Sequence, residues 1–144
     1  MKNTFAIFIS ICFFQCGMDY NVVSNITNNS GDTVMVTVLF DKPYFDSVFK
    51  QNKKQVLLSI NSINETSGLS YSFDSAQLST TFLVPNDTCL RVDETKGGYS
   101  VRPSHNSVYK IMIYKKNFTP IDSIENLDAA FKKISNTEWQ YLIQ

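Results

Sequence analysis

Apolar and polar side chains alternate along much of this chain of 144 residues. Successive side chains of a β-strand point to opposite faces, so a period of two is typical of strands that bury one face. Five stretches follow this period, and they are rich in the β-branched and aromatic residues that a half-buried sheet favours. The rows are Val34/Val36/Val38/Phe40, Val56/Leu58/Ile60, Leu78/Thr80/Phe82/Val84, Tyr109/Ile111/Ile113 and Trp139/Tyr141/Ile143.

Turn-forming residues separate these rows. Asn-Asn-Ser-Gly at 28–31 follows a first strand near 20–26, Pro-Asn-Asp occupies 85–87, and Lys-Gly-Gly at 96–98 is typical of a hairpin. Roughly six to eight short strands at this spacing predict a mainly β fold, either an antiparallel β-sandwich or a small barrel.

The residues before the last strand follow a helical period instead. Residues 122–125 have the form of a capping box, in which an N-cap side chain and a glutamate three residues later satisfy free backbone N–H groups. We expect one C-terminal amphipathic helix over about 122–134, and a largely buried Trp139 that packs against Phe131 or Ile134. The apolar residues at helical spacing are Ile124, Leu127, Ala130, Phe131 and Ile134.

An aromatic cluster occupies the connection after the second strand, where Tyr44, Phe45 and Phe49 lie close together. Two interpretations remain open. The rings form either a plug that closes one end of the core or an exposed recognition loop, because aromatic anchors dominate binding sites. In an up-and-down arrangement this connection lies at the end where the chain enters the domain, near residue 20. We therefore expect the three rings to close the core or to touch lipid.

The N-terminus carries a short apolar run that ends at a cysteine. Lys2 precedes ten uncharged residues at 5–14, and Cys16 follows with a glycine after it. Ten helical residues reach about 15 Å, half of a hydrocarbon core, so the run is too short to span a membrane. It resembles a bacterial lipoprotein signal peptide over 1–15, with lipidation at Cys16 and a short tether over 16–19. Plain secretion and a buried N-terminal strand are the alternatives.

Residues 20–144 are predicted to form a single β-sandwich domain. The chain has 13 Lys or Arg and 13 Asp or Glu, and removal of the signal peptide takes away Lys2 alone, which leaves a net charge of −1. A nucleic-acid binder needs a basic face, so we expect no nucleic-acid partner. With Cys12 removed and Cys16 acylated, Cys89 stands alone in a predicted strand, and we expect it to be a buried, inert thiol.

Residues suited to catalysis or metal binding are sparse. His105 is the lone histidine and lies in a loop-like stretch, no serine lies in a Gly-x-Ser-x-Gly motif, and no Cys or His stands at zinc-ligand spacing. Nine Asp and four Glu leave one enzymatic alternative open, a glycoside hydrolase built on two carboxylates about 5–9.5 Å apart. We expect no enzyme activity, no cofactor and no metal site.

Asp is followed by Ser or Thr five times, where composition predicts about 1.7 such pairs. Four of the pairs continue with an aliphatic residue, a pattern that resembles the acceptor for O-glycosylation of exported proteins in Bacteroidota. Asp-Ser and Asp-Thr also serve turns and helix caps, which is the alternative explanation. Asn-x-Ser/Thr also occurs five times, which supports the rival hypothesis of a eukaryotic secreted glycoprotein. The candidate O-glycosylation sites are Thr33, Ser47, Ser75 and Ser123.

The whole chain resembles the small single-domain lipoproteins of the Bacteroidota cell envelope. The resemblance rests on the Phe/Ile-rich leader ending in Cys16, the turn at 28–31, and the closing segments Leu-Asp-Ala-Ala-Phe at 127–131 and Glu-Trp-Gln-Tyr at 138–141. It implies a lipid anchor in the cell envelope, at the outer membrane, and it carries over no catalytic or binding residue. The sequence thus predicts a non-enzymatic module that binds a protein or glycan, with a carrier of a small apolar ligand and the hydrolase as alternatives.

Overall fold

The computed structural model describes residues 20–97 and 102–144. The predicted signal peptide at 1–15, the lipidation site Cys16 and the tether at 16–19 lie outside the described residues. Gly98 of the predicted hairpin does so too, whereas the two residues before it belong to a strand.

Nine strands and three helices make up the described part of the chain, more strands than the pattern predicted. The turns expected at 28–31 and 85–87 do separate strands. The elements are β1 (Tyr20–Asn28), β2 (Val34–Phe40), α1 (Lys42–Val48), α2 (Lys53–Thr66), β3 (Tyr71–Asp74), β4 (Ser79–Val84), β5 (Thr88–Gly97), β6 (Val108–Lys115), β7 (Pro120–Ile124), α3 (Leu127–Ala130), β8 (Lys132–Lys133) and β9 (Glu138–Ile143).

The strands form two sheets around one core. A four-stranded sheet has the order β5-β1-β9-β8, and a five-stranded sheet has the order β3-β4-β2-β6-β7. The prediction of a mainly β sandwich is confirmed, and the sheets are not closed into a barrel. One pairing departs from the antiparallel expectation, since β1 and β9 run parallel. The long excursion of the chain between them makes this possible, because parallel neighbours need a long crossover.

The alternating rows of β2 and β4 face the core as predicted. Val34, Val36, Val38 and Phe40 are at most 5 % exposed. The row predicted on β6 is wrong at Tyr109, which is 62 % exposed, while its neighbour Val108 is buried. The register of β2 with β6 shifts between Leu39 and Phe40, and such an irregularity moves the following side chains to the opposite face.

The stretch read as a strand at Val56, Leu58 and Ile60 belongs to helix α2, which corrects the prediction. Asn52 caps this helix by accepting a hydrogen bond from the Gln55 N–H at 3.3 Å. Val56 and Ile60 lie one above the other and are buried, while Leu58 between them is 52 % exposed. A spacing of four residues satisfies both a period of two and a period of 3.6, so this pattern alone did not distinguish strand from helix.

The single helix expected over 122–134 is also wrong. Ser123 lies in β7 opposite Met112 of β6, and only the four residues of α3 are helical. The cap belongs to Asn126, whose side chain accepts from the Ala129 N–H at 3.1 Å. Docking of β7 on the edge of the five-stranded sheet supplies a ladder of hydrogen bonds, which overrides the local helical pattern.

Trp139 is partly buried and packs against the core, and its indole Nε1 is buried, in line with the expected burial of this ring. The ring of Phe131 lies beside Tyr141, with centroids 6.1 Å apart, and Ile134 is 52 % exposed. The Arg102 guanidinium lies 5.8 Å above the Trp139 ring. Trp139 therefore covers the border of the core rather than its centre.

Cys89 is exposed, which overturns the prediction of a buried thiol. Its Sγ lies 3.2 Å from the Thr27 Oγ1 on the neighbouring strand. The inward positions of β5 belong to Leu90 and Val92, which are 0 % and 4 % exposed. Alternation along the strand then places Cys89 on the outer face.

Candidate binding cleft

A cleft of about 440 Å³ separates helices α1 and α2 from the second half of β5. Its helical wall carries Tyr44, Phe45 and Phe49, the three aromatic residues singled out from the sequence. The opposite wall is the continuous stretch 91–96 of β5, and Ser104 and Ser107 border it. One wall is thus mainly apolar and the other mainly polar, a combination common in binding sites.

Helix α1 holds the aromatic wall in place. Asp41 caps the helix by accepting a hydrogen bond from the Tyr44 N–H at 2.7 Å, and a proline lies in its first turn. Helix α1 directs Phe45 into the core. The Phe45 side chain is 2 % exposed, and its ring meets the Phe40 ring edge-on with centroids 6.0 Å apart. The ring of Phe49 stacks on Phe45 at 6.1 Å.

The aromatic cluster divides between the core and the cleft, which confirms the core-closing interpretation for Phe45. Phe45 belongs to the core, whereas Tyr44 and Phe49 are half-buried and border the cleft. A ring anchored by core packing loses little conformational entropy when a ligand packs against it, which favours recognition.

The strand wall carries balanced charge. Arg91 and Lys96 oppose Asp93 and Glu94, and the helical side of the lining adds no charged residue. Arg91 Nη1 lies 3.0 Å from Glu94 Oε2. The Thr95 hydroxyl donates to Asp93 Oδ2 at 3.0 Å and accepts from the Ser104 N–H at 3.2 Å. The cleft is therefore suited to a ligand segment without strong net charge.

His105, the lone histidine, is buried and joins a buried serine to an exposed carboxylate. His105 Nε2 is 2.9 Å from Ser24 Oγ, and its Nδ1 is 2.9 Å from Asp128 Oδ1. These residue types in this order resemble a hydrolase triad. Ser24, however, is fully buried on the core-facing row of β1, and neither Ser24 nor His105 lines the cleft. In this conformation no substrate can reach the hydroxyl, and the cluster ties the loop before β6 and α3 to the four-stranded sheet.

A single histidine in a loop-like stretch gave no signal for this cluster. Its partners are 81 and 23 residues away along the chain, so only the folded structure brings them together. Across 20–97 and 102–144, no group of three His, Cys, Asp or Glu side chains is placed to hold a metal ion.

Two other ionisable pairs lie away from the cleft. Burial raises the pKa of Tyr141 to about 12, and its hydrogen bond to the Asp122 carboxylate adds to this effect. The hydrogen bond with Lys110 lowers the pKa of Glu125, and the same bond raises the pKa of Lys110. Tyr141 lies on β9, Asp122 on β7 and Lys110 on β6, and Glu125 follows directly after β7, so neither pair belongs to β5 or to the cleft.

The four candidate O-glycosylation sites are separate from one another. Ser47 lies on α1, Ser75 in the turn between β3 and β4, and Ser123 on β7, and all three are exposed. Thr33, just before β2, is half-buried. Two of the five Asn-x-Ser/Thr asparagines, Asn28 and Asn64, are 0 % exposed, which bars glycan attachment to them in the folded domain.

A second hollow, of about 570 Å³, lies beside the turn between β1 and β2. Its lining includes Asp32, Lys115 and Lys116 and contains no aromatic side chain. Although it is larger, we consider the first cleft the better candidate because it pairs anchored rings with hydrogen-bonding groups.

No protein-family model matches the chain, and no significant match was found among curated proteins or solved structures. None of the helices within 20–97 and 102–144 has the length and apolar character needed to cross a membrane.

Proposed function

We propose that this chain is a non-enzymatic, lipid-anchored protein of the cell envelope that binds a protein or glycan partner in the cleft between α1–α2 and β5. The observation that carries the proposal is the pairing of Tyr44 and Phe49, held by the core, with the polar stretch 91–96 across an open cleft of about 440 Å³. Aromatic anchors and a few placed polar groups are the usual ingredients of a recognition site.

The position of the cleft fits the proposed anchor at Cys16. Residues Asn21 and Asn25 of β1 pair with Lys96 and Arg91, so the strand wall lies beside the start of β1. Three residues lie between Cys16 and Tyr20. The four steps from one Cα to the next span about 14 Å at most. A lipid at Cys16 then holds the cleft near the bilayer surface, where it faces partners of the same membrane.

The two alternatives receive less support. A carrier of a small apolar ligand needs an enclosed, apolar cavity, whereas the sheets stay open and half of the cleft is polar. A carboxylate-based hydrolase would use Asp93 and Glu94, the acids of the cleft. They are neighbours on one strand, so their side chains point to opposite faces and do not converge on one bond.

The anchor is tested by Cys16→Ser in the full-length chain, with Cys12→Ser as the matched control. We expect wild type and Cys12→Ser to partition into the detergent phase with the added mass of acyl chains. Cys16→Ser should remain an unprocessed or soluble precursor. Equal partitioning and equal N-terminal mass for all three proteins would contradict the lipoprotein assignment.

The cleft is tested by filling it. Ser62 lines the cleft on α2, and Leu58 lies one turn away on an exposed position outside it. The full-length chain in detergent is screened against a glycan array and a displayed library of random dodecapeptides. We expect a ligand whose affinity falls at least tenfold with Ser62→Trp and less than twofold with Leu58→Trp. No ligand from either collection, or equal effects of the two variants, would overturn the proposal.

A further inference from the structure

Strand β5 is the longest sheet edge in the described part of the chain. It spans ten residues and pairs with β1 alone among the described strands. The other edges are blunted, since β3 has four residues, β7 begins at Pro120, and β8 consists of Lys132 and Lys133. Proteins normally shorten their sheet edges or place lysine and proline on them, because a free edge invites another strand. β5 carries Lys96 and a register irregularity opposite Ser24 and Asn25, but its ten residues make it by far the longest edge strand among those described. An edge of this length offers enough backbone groups to accept a further strand.

The backbone of this edge points away from β1 at alternate residues. The Val23 N–H donates to the Thr137 carbonyl at 2.9 Å, so the backbone groups of Val23 face β9. Glu94 is the antiparallel partner of Val23, and in such a non-hydrogen-bonded pair both residues turn their N–H and C=O outward. Lys96 lies two residues further along β5, so its N–H and C=O also point away from β1. These groups therefore repeat about every 6.8 Å along the free edge, the two-residue repeat of a strand.

The free edge borders the cleft. All six residues from 91 to 96 line it, whereas a strand that presented one face would contribute only every second residue. The aromatic wall lies opposite, so a strand added to β5 would place alternate side chains near Tyr44 and Phe49. The lining carries two positive and two negative side chains, which favours an uncharged segment.

We infer that the partner of this cleft is an extended polypeptide segment of about six residues, which adds to the free edge of β5 and packs alternate apolar side chains against Tyr44 and Phe49. This inference rests on the proposed function, and it goes further by naming the partner class. A glycan offers hydroxyl groups but no alternating donors and acceptors at the strand repeat, so it would leave the outward groups of Glu94 and Lys96 unmatched.

The first test uses the peptide library as the probe, with the full-length chain in detergent. We expect the enriched peptides to carry apolar residues at every second position across about six residues, the length of the lined edge. An enriched peptide is then synthesised with single N-methyl groups along its backbone. N-methylation at every second amide should weaken binding at least tenfold, and methylation of the intervening amides less than threefold. Equal effects at all positions would overturn strand addition, and this measurement needs no variant of the protein.

The second test removes a donor from the edge. Glu94→Pro deletes an outward N–H while leaving the ladder to β1 intact, and Lys133→Pro is the matched change on the blunted edge. The Ile134 N–H donates to the Glu138 carbonyl, so Lys133 faces away from β9 in the same way. We expect Glu94→Pro to lower peptide affinity at least tenfold and Lys133→Pro less than twofold. Glu94→Ala, which keeps the N–H, should bind at least fivefold more tightly than Glu94→Pro.

The outcomes separate this inference from the proposed function. A glycan ligand that Ser62→Trp displaces, together with no enriched peptide, would sink strand addition while the binding function stands. A peptide that binds equally to wild type and Glu94→Pro would also overturn it. No ligand of either class would overturn both.

Discussion

The two sides of the sandwich, at β8 and at β5, differ in how far the space between the two sheets is closed. On the β8 side, α3 and the two residues of β8 bring Phe131 to within 6.1 Å of Tyr141, and the Tyr141 hydroxyl reaches Asp122 on β7 in the other sheet. On the β5 side, α1 and α2 contribute Phe45 and Ile60 to the core but leave the cleft open. One opening is sealed by side chains, and the other keeps a free strand edge beside an aromatic wall.

This difference suggests separate tests of stability on the closed side and of the proposed binding on the open side. A free strand edge risks aggregation, and the proposal of strand addition rests on the retention of a ten-residue edge in a sheet whose other edge has two residues. The four predictions that follow alter one side at a time, from the largest expected effect to the smallest.

Phe45→Ala removes the ring that supports the open side. The side chain is 2 % exposed and contacts Phe40, Tyr44 and Phe49, so we expect a loss of about 3–5 kcal/mol in the free energy of unfolding. Urea denaturation measures this loss. Val48→Ala, half-exposed on the same helix, is the control and should cost less than about 0.5 kcal/mol. Similar values for the two variants would show that α1 is not part of the core.

Trp139→Ala tests the sealed side. The ring is half-buried, so we expect a loss of about 2 kcal/mol, below the range for a fully buried aromatic ring. A cost as large as that of Phe45→Ala would mean that the closing strand β9 carries as much of the core as α1. The same urea titration gives both numbers.

Proline at neighbouring residues of β5 distinguishes its two sides. Asp93 is paired with Ser24, whose backbone faces β5, so Asp93→Pro removes a ladder donor and should cost about 1–3 kcal/mol. Glu94→Pro removes an outward donor and should cost less than about 1 kcal/mol. A larger loss of stability for Glu94→Pro than for Asp93→Pro would contradict the assignment of the Glu94 N–H to the free edge. Strand addition depends on that assignment.

The smallest effect concerns the bridge across the sealed side. The pKa of Tyr141 is raised to about 12, above the unfolded value of about 10. Its contribution to stability is therefore complete below pH 10 and is lost as the pH rises through 12. We expect the stability difference between wild type and Tyr141→Phe to shrink over this interval, as measured by urea denaturation at successive pH values. A constant difference would contradict the raised pKa.

The binding site was only half predictable from sequence. Tyr44, Phe45 and Phe49 stood out because aromatic residues clustered in a connection are unusual, and the structure places all three on one wall of the cleft. The other wall gave no signal, because an edge strand and a central strand can share the same alternating pattern. The Ser24–His105 contact was unpredictable for another reason, since it joins residues that are 81 positions apart in the chain.

The sequence by itself determined the mainly β character, because alternation decides which residues a strand can bury, as Val34, Val36 and Val38 illustrate. Tertiary structure alone decided the identity of the ambiguous segments. The four-residue spacing of Val56 and Ile60 suits either element, and the helical period after residue 122 yielded to pairing with β6. It also decided which strand became the free edge. Hydrogen bonding between strands is a long-range choice, and local side-chain patterns do not encode it.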